Sequence, residues 1–466
     1  MHKHTRSLWR GAGYAFIGGL MIVALLLGFS PMEVTAQAPT ATPTDPVWRG
    51  FSAARDAIQK ERRVDLTLVQ NWAFEQADYN PTGIDSCRDL EEGDFGREVY
   101  YGWTFNITSL SGVRYQARVS FDLTAVAVCD RIIESGTAAP AANPDPNLPA
   151  PVAGSAAGGA FELGGHILDM NANTVGLLNR SGMTWVKKQF RMGEDVSGFI
   201  NAAHANGKKA LLAIVGNVSD IAANYDAFIT NYSNYVASVA ALGADAIEVH
   251  NEPNIDREWP AGQINGATYT RLLASAYNAI KGANPNTLVI SGAPAPTGYF
   301  GAAGCAEGGC NDDTFMQQMA AAGAGNYMDC VGLHYNEGIV SPTTVSGDPR
   351  GEYPTYYFGS MLARGYSPFG GKQVCFTELG YLSGHGFSTP IPASFAWANN
   401  TTVEQHAAWL AGAATAAAQS GRVRLMIVWN VDFPFYTATD PMGGYAMFRP
   451  DGSCPACDSL GAVMGR

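Results

Sequence analysis

The chain has 466 residues, enough for two or three domains with a large core, and its 11% aromatics and 53 glycines suit a loop-rich enzyme rather than a helical bundle. A formal net charge of −12 argues against a nucleic acid or an anionic membrane surface as partner, since both call for basic patches. The charge sets no limit on a neutral ligand such as a sugar.

The first segment reads as an export signal. Lys3, Arg6 and Arg10 form a basic head, residues 15–29 an apolar run, and Val34-Thr35-Ala36 a small-residue cleavage site, which gives a signal peptide over 1–36. The run is short for a full membrane span, and an uncleaved N-terminal anchor is the alternative. Either way the rest of the chain is secreted or extracytoplasmic. Eight cysteines fit an oxidising compartment, and they fall into local groups: Cys87 with Cys129, Cys305 with Cys310, Cys330 with Cys375, Cys454 with Cys457. Pairing within each group is the economical arrangement, although spacing alone does not fix connectivity. A zinc site at Cys454-Pro455-Ala456-Cys457 would need a second ligand pair, and the sequence offers none nearby.

A Thr/Ala/Pro-rich spacer covers 37–46, and a compact block follows over 47–134. Residues 51–63 have helical spacing, with 66–77 read as continuing the helix. Residues 97–107 and 114–131 alternate apolar and polar around Ser109-Leu110-Ser111-Gly112, the pattern of a β-hairpin. The block is therefore a small α+β accessory domain, and its removal is expected to leave cleavage of small substrates intact. Its aromatics Trp72, Tyr100, Tyr101 and Trp103 are candidates for a binding face or for core. Residues 135–160 are mostly Ala, Pro, Gly and Asn and read as a linker.

From 161 to 466 the pattern becomes strand, helix, strand, helix. Strands are expected at 162–168, 184–191, 209–215, 244–251, 287–291, 330–335, 373–377 and 424–430, with helices at 196–206, 225–242, 267–283, 312–322 and 402–420. Eight βα units over about three hundred residues make an α/β fold of the (β/α)8 TIM-barrel type. A doubly wound open sheet would carry a Gly-rich phosphate turn after its first strand, whereas Gly164-Gly165-His166 lies within one.

Two strand ends hold the chemistry. Asp245-Ala246-Ile247-Glu248-Val249-His250-Asn251-Glu252-Pro253 is a short strand stopped by Pro253, which leaves Glu252 at the end of strand four. Gln373-Val374-Cys375-Phe376-Thr377-Glu378-Leu379-Gly380 delivers Glu378 at the end of strand seven. Both acids then share one rim of the barrel, and two carboxyls on one rim are the minimum equipment for cutting a glycosidic bond.

Asn251-Glu252-Pro253 together with Glu378-Leu379-Gly380 resembles the clan of barrel glycosidases with an acid/base on strand four and a nucleophile on strand seven, families 5 and 39 among them. The resemblance covers 161 to the C-terminus and none of the N-terminal block. It implies a retaining β-glycoside hydrolase acting on oligo- or polysaccharide with no cofactor and no metal. Glu252 would be the acid/base, Glu378 the nucleophile and Asn251 the ligand of the sugar 2-hydroxyl. Arg191, at the end of strand two, would support the nucleophile's charge. His334 and Tyr335 match the strand-six position, although a regular pleat sends neighbours to opposite faces. Trp429 would form the floor beside the scissile bond. In the loops Trp259, Trp397, Phe433 and Tyr436 are candidate sugar platforms, whereas His166, His250 and Asn217 are strand-end residues with second-rank claims. His250 stands where the clan often has an aromatic residue. The runner-up readings are a barrel that binds carbohydrate without cutting it, and a transglycosylase using the same residues.

Overall fold

The computed structural model describes residues 46–79, 87, 100–129, 133–134, 148–154, 158–297, 300 and 304–466. The signal segment 1–36, the spacer up to residue 45 and most of the linker 135–160 lie outside the described residues. The parts of the linker that are described lie against the barrel: Val152 N donates to Asn278 Oδ1, Tyr327 Oη to Pro149 O, and Gly159 N to Gln373 Oε1.

Helix Pro46–Arg62 lays Phe51, Ala54 and Ile58 on an antiparallel sheet. The sheet runs β1 (Val69–Tyr79), β2 (Tyr100–Ser109), β3 (Val113–Ser120) and β4 (Val126–Val128), and β5 (Ile133–Glu134) also pairs with β3. The helix expected over 66–77 is therefore strand β1. Spacing of Leu66, Val69, Trp72 and Ala73 mimics a helical stripe, but ten paired positions against β2 outweigh it. The β2–β3 hairpin turns at Gly112, whose φ of 87° belongs to glycine. Trp72 stacks on Phe51 and Trp103 is buried with it, so both are core.

The second part is a parallel eight-stranded sheet: β6 (Glu162–His166), β7 (Trp185–Arg191), β8 (Lys209–Val215), β9 (Ala246–Val249), β10 (Leu288–Ser291), β13 (Val331–Tyr335), β14 (Val374–Leu379) and β15 (Val423–Val428). A two-stranded excursion, β11 (Cys305–Ala306) with β12 (Gly309–Cys310), interrupts the series. The hydrogen-bonded order is β10-β9-β8-β7-β6-β15-β14-β13. Ile290 bridges Cys330 and Gly332 N donates to Ser291 Oγ across the remaining seam, so the sheet closes into a barrel. All eight expected strands are present within a few residues. Helices Ala172–Arg180, Phe358–Tyr366 and Pro455–Val463 were not anticipated.

Alternation along the strands sorts the interior into layers. Trp185, Leu211, Ala246, Ile290, Cys330, Cys375, Leu425 and Ile427 fill the lower barrel. Their alternates, such as Val186, Ile247, Val289 and Phe376, face the helices. One step further along the strands, the inward positions become charged. All four local cysteine pairs are disulfides, including Cys454–Cys457, whose sulfurs are thus not thiolate ligands.

Candidate active site

The charged layer begins with Lys187, two residues beyond Trp185 on β7 and completely buried. Its ammonium lies 2.9 Å from Glu248 Oε2 and 3.4 Å from Glu378 Oε1, and donates to Thr377 O at 3.1 Å. Burial works against the charged amine, yet Glu248 and then Glu378 raise its pKa above the ordinary lysine value. Glu248 is held from other sides too, by Thr377 Oγ1 at 2.7 Å and Ala293 N at 3.3 Å. A buried ammonium with three acceptors is fully satisfied, as a group with no access to water must be.

Above this pair stands His334 of β13, also without exposure. Its Nδ1 lies 3.2 Å from Glu252 Oε1 and 3.8 Å from Glu378 Oε2. The two carboxylate oxygens share one nitrogen as neighbour, so they are at most about 7 Å from each other. Burial pushes the imidazole down, but Glu378 and Glu252 outweigh it and raise the pKa. Lys187 pairs with Glu248 and Glu378, and Arg257 with Glu252, so the basic side chains alternate with the carboxylates around His334.

Backbone irregularity helps to aim both acids. His250 and Glu252 have φ of 69° and 41°, the left-handed region that residues with a side chain rarely adopt. Glu252 N is tied to Ala293 O at 3.0 Å, which fixes that turn. On β14 the register shifts between Phe376 and Leu379, so that Thr377 and Glu378 both reach the interior.

The expected residues divide into those gathered here and those elsewhere. Glu252, Glu378 and His334 meet at one point. Asn251 is buried beside them and bonds Glu258, and its Oδ1 has no partner among the described residues. Trp429, half-buried, meets His166 edge-on with ring centres 4.7 Å apart, and Phe433 at 5.3 Å. Tyr436 stacks on Phe387.

Three residues sit otherwise than expected. Tyr335 faces the helix layer, packs on Phe358 and Tyr381, and donates to Tyr356 O, because the pleat that turns His334 inward turns its neighbour out. Trp259 is 1% exposed and wedged against Tyr225, His250 and Tyr269, so no sugar can lie on it. Arg191 stands exposed at the end of β7, where Glu258 feels its charge; the cation beside Glu378 is Lys187, four residues earlier. Of the second-rank residues, His250 is buried against Trp259, and Asn217 is exposed and bonds Asp220.

Residues missed from the sequence complete the site. Lys187 is one of two adjacent lysines, and only the pleat decides which points inward. Asn336, the residue after β13, donates from Nδ2 to Glu378 Oε2 at 3.3 Å, and its own Oδ1 is buried without a partner among the described residues. Arg257 contacts Glu252 Oε2. Burial raises the Glu252 pKa, but Arg257, then His334 and Lys187, bring it down to about 2. A recess of about 430 Å³ lies over the loop after β14, lined by Gly384, His385, Phe387, Thr389 and Asn400; neither glutamate lines it.

No protein-family model matches this chain, and no curated protein matches it. Solved structures with a similar path include a family 39 glycoside hydrolase from the gut symbiont Bacteroides cellulosilyticus WH2, 15% identical, covering 84% of this chain and 76% of that one at a TM-score of 0.46. A broad-specificity endoglucanase from Clostridium longisporum is 12% identical over 64% of this chain and 86% of its own, at 0.42. An endo-1,4-beta-mannanase from Rhizomucor miehei is 14% identical over 66% and 95%, also at 0.42. At such values the role of each residue rests on the geometry above.

Proposed function

We propose that this chain is an exported retaining β-glycoside hydrolase. The observation that carries the reading is the meeting of Glu252 and Glu378, from two distant strand ends, on one imidazole nitrogen at 3.2 and 3.8 Å. Carboxyls about 5–5.5 Å apart suit direct attack, whereas about 6.5–9.5 Å leaves room for an intervening water. A ceiling of about 7 Å on the oxygens includes the first range and excludes all but the narrow end of the second. Glu378 accepts from Asn336 and Lys187, which fix its two oxygens in place for the part of nucleophile. It would attack the anomeric carbon while Glu252 protonates the leaving oxygen. Glu252 would then take the proton of the water that frees the sugar. Asn251 would bind the 2-hydroxyl, and Trp429 with Phe433 offers apolar faces to sugar C–H bonds. Four disulfides fit an oxidising compartment.

One observation favours a second reading, a barrel that binds sugar without cutting it: Glu252 is held ionised by Arg257, the opposite of a loaded acid. Release of reducing sugar from bound oligosaccharide separates the two. The sharper test is Glu378→Gly, which should abolish turnover of an aryl β-glycoside yet return activity with azide, giving the α-glycosyl azide. Undiminished hydrolysis by that variant rejects the assignment.

A further inference from the structure

Both oxygens of Glu252 are occupied in this structure. His334 Nδ1 sits against Oε1 and Arg257 against Oε2. An acid that must hand a proton to a glycosidic oxygen needs one oxygen unblocked. His334 is buried and fixed by its strand, but the Arg257 side chain is 53% exposed on the turn after Pro253, so Arg257 is the group that can leave. Its destination is already near: Arg257 Nε lies 3.8 Å from Glu258 Oε1.

We propose that Arg257 is a positioning residue that serves two carboxylates in turn, holding Glu252 while the site is empty and moving to Glu258 when the substrate's leaving-group oxygen takes its place. This rests on Glu252 being the acid of the proposed hydrolysis. Around Glu252 stand His334 of β13, Lys187 of β7, Glu378 of β14, and Arg257 and Glu258 of its own loop. Around Glu258 stand Arg191 at the end of β7, Asn251, Arg257 and Glu252. Burial and then the Glu252 charge push Glu258 up to about 7, against Arg257, Arg191 and Asn251. The two acids thus share one guanidinium and, below about pH 7, one proton. In the empty site the guanidinium is on Glu252 and the proton on Glu258. When Arg257 crosses, Glu258 gives its proton to solvent and Glu252 takes one up, with no net change.

The test is the pH dependence of kcat/KM on an alkyl β-glycoside, whose poor leaving group needs the acid, with a dinitrophenyl glycoside, which does not, as control. In the wild type the basic limb follows the proton stored on Glu258. Glu258→Gln removes the store and leaves Glu252 under Arg257, so the limb for the alkyl substrate should move to lower pH by roughly one unit or more. Adding Arg257→Met in the same chain frees Glu252 and should move the limb back up, while the control substrate shows neither shift. A role for Glu258 in structure alone would lower kcat and leave the limb in place. A limb unmoved in Glu258→Gln, or unrestored in the double variant, overturns the inference while hydrolysis stands. A wild-type chain that cleaves neither substrate removes the glycosidase reading and this inference together.

Discussion

Lys187 joins the two carboxylates of the barrel interior, Glu248 below and Glu378 above, and nothing else among the described residues can neutralise Glu248 so directly. Lys187→Met should therefore cost about 3–5 kcal/mol of stability, since it leaves a buried carboxylate without its nearest counter-charge, the next basic group being His334 Nε2 at 3.9 Å. Chemical denaturation would read this directly. Tyr335→Phe is the contrasting case. It removes one hydrogen bond to Tyr356 O, worth about 1 kcal/mol, and should leave kcat unchanged because the ring faces the helices. A large fall in kcat for that variant would return Tyr335 to the site. The sequence made Glu252 and Glu378 legible because each sits where an apolar strand stops at a residue that cannot continue it. Lys187, Asn336 and Arg257 were not legible in the same way. Their parts depend on which strands become neighbours and on pleat phase, and a lysine pair or a loop asparagine carries no local mark of either.

Among the elements, helix Phe358–Tyr366 decides how the small sheet relates to the barrel. Arg364, buried, donates to Gln70 O at 2.7 Å and Asn71 Oδ1 at 2.9 Å on β1, and pairs with Asp312 at 2.6 Å. Ser360 Oγ donates to Val69 O, and Gln70 Nε2 to Ala363 O. Tyr353, Tyr356 and Tyr357, from the loop between β13 and this helix, share one apolar cluster with Phe51, Trp72 and Trp103. Arg55 reaches the same loop through Glu352 at 3.3 Å. The sheet is thus built against the barrel wall, a contact that the reading of 47–134 as an accessory domain did not include. Deleting residues 46–134 would uncover three tyrosines and strip Arg364 of its β1 partners. The truncated chain should melt at lower temperature than the full chain and be recovered mostly insoluble. A truncated barrel as soluble and heat-resistant as the parent would show that the packing contributes nothing. The same loop begins at Asn336, which touches Glu378, so the sheet's support extends to the candidate site.

For the molecule as a whole, the parallel barrel was legible because eight apolar runs alternate with helical stripes, and each run in the structure lies within a few residues of its expected place. The N-terminal sheet was half legible: its hairpin has a turn signature, whereas β1 takes its conformation from partners remote in the chain. That remoteness affects how the protein is made. Gln70 bonds Ala363 across 293 positions, and Trp72 meets Tyr353 over a similar span. Strand β1 therefore cannot complete its apolar interior until the residues around 353–363 have been made. Such long-range closure is slow and leaves greasy surface uncovered for the interval.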